Sequence, residues 1–194
     1  MSKRIAILQG HPDPAGGHFG HALAEAYERA ARAAGHEVRR IDVARLGLPL
    51  LRNAQEWEWR PASESIVTAQ QTLAWCEHMV IVFPLWLGDM PAVLKGFFEQ
   101  VLRPGFATSG SRAGRMPKKL LAGKSARIVV TMGMPALFYR AYYRAHSVKS
   151  LKRNILAFCG IAPVRTTLIG IIKGRKEARA DCLAKLGALG ARGS

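Results

Sequence analysis

An α/β fold, a five-stranded parallel sheet covered by helices on both faces, is predicted by three features of the sequence. Short apolar, β-branched runs end in clusters of turn formers, segments of helical periodicity separate them, and each strand, helix and strand occupies about 40 residues, as in a βαβ unit. Five such runs are present in 194 residues, of which 49% are apolar, enough for one well-buried core. A single domain over 1–194 is therefore expected.

Lys3 to Gln9 is the first strand, stopped by Gly10-His11-Pro12-Asp13-Pro14. From Gly20 to Ala34 the residues Ala22, Leu23, Ala26, Tyr27, Ala30 and Ala33 fall on one helical face, and Gly35 stands where such a helix ends. Glu37 to Val43 alternates as the second strand. Ala44 to Ala62, rich in Leu, Pro and Trp, has no clear period and reads as an irregular connection with one helical turn. Ser63 and Ser65 are placed to cap a helix to Cys76, and His78 to Phe83 is a continuously apolar strand. Pro91 opens a further helix at its tolerated first turn. Ala126 to Thr131, a helix from Ser147 to Cys159, Val164 to Ile169 and a helix from Lys176 to Leu189 complete the frame. Arg103 to Lys124 is an excursion from it, rich in Gly, Ser, Pro and basic residues.

Several classes are excluded or disfavoured. No run of about 20 apolar residues is long enough for a membrane-spanning helix, and Met1 to Gly10 is too short and too charged for a secretory leader, so the cytoplasm is the expected compartment. Cys76, Cys159 and Cys182 form no C-x-x-C pair and suit neither a disulfide framework nor zinc. Between Gln100 and Lys176 there are 16 Lys and Arg and no acid, so the whole net charge of +16 lies there. Such a field suits anions: phosphorylated cofactors, nucleic acid, an acidic protein or an acidic membrane face. Most of these side chains are expected simply to face water, and a nucleic-acid binder is disfavoured because the aromatics are not interleaved along the basic stretch.

In open parallel sheets ligands bind at the carboxyl ends of the strands, near the reversal of strand order. The loops expected there are 10–20, 84–91 and 132–135. The first carries four glycines and leads into a helix, whose N-terminal N–H groups favour a phosphate. It is neither G-x-G-x-x-G nor a Walker loop. His11, His18 and His21 invite a metal reading, but no Asp, Glu or Cys at ligand spacing completes it. Pro84 and Trp86 follow an apolar strand, where a flat ring could lie. Gly133 and Pro135 allow close backbone approach, and Tyr139 and His146 are candidate proton donors. Phe138, Tyr142 and Tyr143 suit a packed patch equally well.

Phe83-Pro84-Leu85-Trp86, followed by Met90-Pro91-Ala92-Val93-Leu94-Lys95-Gly96-Phe97-Phe98, resembles the F-P-L-x-W…x-P-A-x-L-K-G-[WF] signature of the NAD(P)H:quinone oxidoreductases of DT-diaphorase type. Gly10 to Pro14, Phe19 with Ala22-Leu23, and Phe158-Cys159-Gly160 fit the same family, over nearly the whole chain. The resemblance implies a flavodoxin-like three-layer sandwich of strand order 2-1-3-4-5 and a bound FMN or FAD, with a slight preference for FMN. It also implies hydride transfer from NAD(P)H through the flavin to a quinone or similar small acceptor, and a homodimer with Ala54 to Pro61 and Phe138 to Tyr143 as interface material. By position His11, His18 and Phe19 would hold the flavin phosphate, Pro84, Leu85, Trp86 and Leu87 would line the ring, and Thr131, Gly133 and Met134 would meet its other edge. Tyr139 and His146 match residues that stabilise charge during hydride transfer. The chain departs from the family at Leu87, where a second aromatic is usual, at His18, where a hydroxyl is usual, and at Met132, within a Thr-Gly-Gly type loop. Relatives that act as ancillary flavoprotein subunits of potassium-efflux transporters share every motif and give the alternative reading.

Overall fold

The computed structural model describes residues 1–59, 61–109, 117–171 and 176–194. Five strands, β1 (Arg4–Gln9), β2 (Glu37–Asp42), β3 (His78–Pro84), β4 (Ser125–Thr131) and β5 (Val164–Ile169), form one all-parallel sheet of order β2-β1-β3-β4-β5. The order implied by the resemblance is the order found. Successive side chains of each strand point to opposite faces, and on the central strands both are apolar. Ala6, Leu8, Met79, Ile81, Phe83, Ile128 and Val130 enter one core, and Ile5, Ile7, Val80, Val82 and Val129 enter the other.

The second core is closed by α1 (Phe19–Ala33) and α7 (Lys176–Ala191). The first is covered by α3 (Glu64–Trp75), α4 (Ala92–Val101), the short helices α5 (Ala136–Ala141) and α6 (His146–Ser150), and a π-helical continuation, Leu151–Leu156. Also present are a 3-10 turn at Val43–Arg45, which ends β2 one residue sooner than the sequence suggests, and α2 (Ala54–Trp59), the turn expected within the irregular connection.

Ser63 stands at the N-cap of α3 but makes no side-chain cap bond, and Ser65 donates to the Leu46 carbonyl at 3.3 Å, tying the preceding connection to the helix. α5 was not expected from the sequence. In the excursion, Thr108 bridges Lys119 and Pro104, while 110–116 lie outside the described residues. Cys76 and Cys159 are buried free thiols and Cys182 is half-buried; burial pushes both buried thiols up to about 11.

His78 opens β3 almost wholly buried, its Nδ1 2.8 Å from Ser125 Oγ and its Nε2 without a partner among the described residues. Burial, aided by Lys3, Arg127 and Arg165, lowers it to about 4. An unfolded chain takes this proton near pH 6.5 and the fold only near 4, so the unfolded state binds more protons in between. Stability is thus expected to fall as pH drops through that window, by up to about 3 kcal/mol from this group. His78→Leu should flatten melting temperature against pH there; an unchanged profile would show that other groups carry the acid sensitivity.

Candidate functional site

The loops after β1, β3 and β4 meet because their strands are neighbours in the sheet, and the ladder continues past the strand ends. Gly10 N–H donates to Val82 O at 2.8 Å, Leu85 N–H to Thr131 O at 2.8 Å, and Met132 N–H to Ile169 O at 2.9 Å. β1 lies between β2 and β3, so connections leave it in both directions, and this is the reversal point at which such sheets bind ligands.

The first loop is held by its own side chains. Gln9 Oε1 accepts the His11 N–H and Gln9 Nε2 donates to Gly20 O, pinning both ends of the loop. His11 Nδ1 accepts the Asp13 N–H at 3.1 Å, which leaves the ring proton of the neutral imidazole on Nε2. Asp13 Oδ1 accepts the Ala15 N–H, and its Oδ2 lies 2.7 Å from His18 Nε2. Gly16 and Gly17 then turn with φ of +80° and +77°, conformations that favour glycine. α1 follows with His18 at its N-cap and no side-chain cap, so the N–H groups of its first turn face the loop unpaired by any side chain.

The three histidines become one cluster. His11 stacks on His18 at 3.9 Å between ring centroids, and His21 lies 5.1 Å from His11 and 5.7 Å from His18. Burial, then the neighbouring imidazoles, lowers His11 to about 4. Burial and Arg40 also lower His21, whose Nδ1 has no hydrogen-bond partner among the described residues. The His18 pairing holds the Asp13 carboxyl below its usual range. Beside these rings opens a cavity of about 230 Å³ whose lining includes His11, His21, Gly16 and Gly17, the cations Arg40 and Arg45 and the carboxylates Asp13, Glu25 and Asp42, with Arg40 paired to Asp42. Among the described residues no group of three or more His, Cys, Asp or Glu is placed to hold a metal ion. Phe19 is the first residue of α1, and its ring is buried in the second core beneath Arg179, its centroid 4.7 Å from the guanidinium carbon.

After β3 the chain makes a tight reversal. Trp86 N–H donates to Asp89 O and Asp89 N–H to Trp86 O, at 2.8 and 2.9 Å, with Leu87 and Gly88 at positive φ. The reversal lifts Trp86 to 51% exposure and leaves Leu87 fully exposed, while Pro84 is buried and Leu85 half-buried. Trp86 stands edge-on to His11 at 6.2 Å, so the apolar ledge and the histidine cluster adjoin.

On the other side Thr131 is buried, Gly133 is exposed with nothing within 4 Å of where a Cβ would sit, and Met134 is half-buried. Tyr139 differs from expectation. α5 turns it into the first core with 1% exposure, and its hydroxyl lies 3.3 Å from Ser147 Oγ, so it is not presented to the open face as a proton donor. Phe138 and Tyr142, stacked at 5.2 Å, take the exposed side. Arg144 and Ala145 are both left-handed, and the sharp turn they make leaves His146 exposed at the start of α6. Gln9, Asp13 and Ser147 were not singled out by the sequence; for Gln9 and Asp13, polar side chains flanking a glycine-rich turn were the available signal.

Ligand loops gathered at the inner reversal point of a parallel 2-1-3-4-5 sheet place the molecule among the flavodoxin-like α/β proteins. The family described as flavodoxin-like fold matches residues 3–189, and the chain belongs to it. It is 28% identical over 110 residues to a ribosyldihydronicotinamide dehydrogenase-like protein of Penicillium crustosum, covering 54% of this chain and 40% of that one. It is 26% identical over 173 residues to an NAD(P)H oxidoreductase of Haemophilus influenzae, covering 86% and 83%. Over 80 residues it is 39% identical to a glutathione-regulated potassium-efflux system ancillary protein of Serratia proteamaculans, covering 40% of each. The chain thus spans 40% of the length of two of these three relatives. The solved NAD(P)H:quinone oxidoreductase of Methanothermobacter marburgensis superposes with a TM-score of 0.81, covering 100% of both chains at 22% identity, a likeness of fold.

Proposed function

We propose that the protein is a flavin-dependent NAD(P)H:quinone oxidoreductase, folded as one domain over 1–194 and working as a cytoplasmic homodimer. The observation that carries this reading is the adjacency of an anion cradle, with an uncapped helix N-terminus and paired left-handed glycines, to an apolar ledge at Trp86, only 6.2 Å from His11. A phosphate and a flat ring on one ligand need those two surfaces side by side. The cradle offers one helix N-terminus and one small cavity, which suits the single phosphate of FMN better than FAD. His11, His18 and the Phe19 N–H would hold that phosphate; Pro84, Leu85, Trp86 and Leu87 would line one side of the ring and Thr131, Gly133 and Met134 the other.

When bound, the flavin supplies the hydride chemistry between NAD(P)H and a quinone. The chain's residues bind and orient it. Tyr139 acts from beneath as a positioning residue through Ser147; for it or His146 to donate a proton, α5 and the turn after it must shift.

Reconstitution with FMN and with FAD, followed by NAD(P)H oxidation with a soluble quinone, tests the reading. FMN is expected to be retained with its visible spectrum, and Trp86→Ala to weaken retention by about tenfold or more, the loss of one large contact. A protein that binds neither flavin overturns the proposal. The likeness to the potassium-efflux ancillary protein supports a second reading, a flavoprotein subunit docked on a transporter. Flavin retention without turnover of any small quinone would favour it.

A further inference from the structure

Away from the histidine cluster, β5 is the outer strand of the sheet and among the described residues pairs with β4 alone. Ala126 N–H reaches Pro163 O and Met132 N–H reaches Ile169 O, so the odd-numbered carbonyls of this strand face β4. By the alternation of a strand, Val164, Thr166 and Leu168 turn their N–H and C=O groups outward. That edge forms the floor of a cleft of about 690 Å³. α6 and its continuation stand on one side, α7 on the other, and α5 closes the carboxyl end.

The charge around this edge has one sign. Arg127, Arg140, Lys149, Lys152 and Lys185 line the cleft, and among the described residues no acidic one does. Arg127 is committed to Thr167 Oγ1 at 2.9 Å and to Ser194 O at 2.8 Å. The other four are exposed and have no carboxylate partner among the described residues. Between them lie apolar surfaces of Leu137, Val148, Leu168 and Leu189. Lysines on an edge strand are a common protection against stray pairing. Arg165, exposed on β5, supplies such a charge on the strand itself; Arg140, Lys149, Lys152 and Lys185 add four more from the flanking helices, beyond what protection needs, and stand on either side of the outward backbone groups of Thr166 and Leu168.

We propose that this edge is a docking site for an acidic peptide segment, which adds to the sheet as a sixth strand beside β5. Main-chain pairing with Val164, Thr166 and Leu168 supplies binding, and acidic side chains alternating along the peptide reach the flanking lysines. A six-residue strand offers about 20 Å of edge. A second copy of this chain does not suit the groove, because it would bring the same cations to its own edge. A nucleic acid would satisfy the charges but leave the outward N–H and C=O groups without matching partners, so a peptide is favoured.

The test uses the flavin-reconstituted protein and a labelled peptide of alternating Glu and Thr, read by fluorescence anisotropy. The same peptide with alternate amides N-methylated keeps its charge and loses its pairing donors. Thr166→Pro removes one outward N–H at a position where an edge strand tolerates proline. Joint reversal of exposed Lys149 and Lys152 to Glu changes only the wall. Expected are binding of the unmodified peptide that weakens with salt, and a loss of about tenfold or more with N-methylation, with Thr166→Pro and with the charge reversal, while flavin retention is unchanged. Equal binding of the N-methylated peptide, stronger binding of single-stranded DNA than of the peptide, or no binding of the peptide would each overturn the proposal. If Thr166→Pro misfolds, the comparison of the two peptides on the unaltered protein still decides.

Discussion

Gly190→Ala is expected to destabilise the protein by about 2–4 kcal/mol, lowering its melting temperature by about 4–16 °C. Gly190 lies where α7 crosses α1, and a Cβ on it would stand 2.2 Å from the carbonyl oxygen of Tyr27 and 3.0 Å from its carbonyl carbon. Those are backbone atoms, so no rotamer change relieves the contact. The helices must separate, and with them Leu186 and Leu189 from Leu23 and Tyr27 in the second core. Gly187 on the same helix is an internal control. A Cβ there meets only Ala26 O at 3.8 Å and Ala30 Cβ at 3.9 Å, and replacing a helical glycine with alanine favours the helix by up to about 1 kcal/mol. Gly187→Ala should therefore be neutral or stabilising. Equal melting temperatures for the two variants would show that the helices do not pack this closely.

What could be read beforehand depended on whether local pattern decided the outcome. β5 was legible to the residue because a β-branched run sits between Pro163 and Gly170, two residues that punctuate the chain on their own. α1 was legible because its apolar residues keep one face. α5 was not, since Leu137, Phe138, Tyr139, Tyr142 and Tyr143 put large apolar side chains all round, and only the sheet decides that Tyr139 is inside while the others are exposed. That choice moved a predicted proton donor into the core. The end of α5 was hidden likewise, because Arg144 and Ala145 adopt left-handed conformations that nothing in their side chains advertises. In the site, composition singled out the glycine-rich loop after β1, and Gly16 and Gly17 there adopt left-handed conformations. The linkage of Gln9 to Gly20, Asp13 to His18 and His11 to His18 arises from a folded turn with no period to read. The basic stretch was visible as composition, yet its division between the β5 groove and the excursion needed coordinates, and Arg112 and Arg115 of that stretch lie outside the described residues.

FMN affinity is expected to strengthen as pH falls from about 8 to about 6, by up to about tenfold per pH unit for each proton taken up on binding. Burial and the adjacent imidazoles keep His11 down to about 4, and burial and Arg40 lower His21, so neither holds a proton near neutrality. A phosphate dianion seated against the cluster opposes both causes by favouring the charged rings. The bound state then holds more protons than the free one, and lower pH favours binding. The window closes near pH 6, where the phosphate itself takes a proton. Asp13 is the counterweight: paired with His18 and ionised throughout this range, it repels the incoming phosphate and occupies one of its donors. Asp13→Asn should tighten FMN at the alkaline end of the range, and His11→Gln, which removes one of the two rings that take up protons, should weaken binding and flatten its pH dependence. Riboflavin has the ring without the phosphate, so its affinity should not change over the window. Fluorescence titration of both ligands across the range separates the outcomes, and identical slopes for FMN and riboflavin would remove the histidine cluster from phosphate recognition.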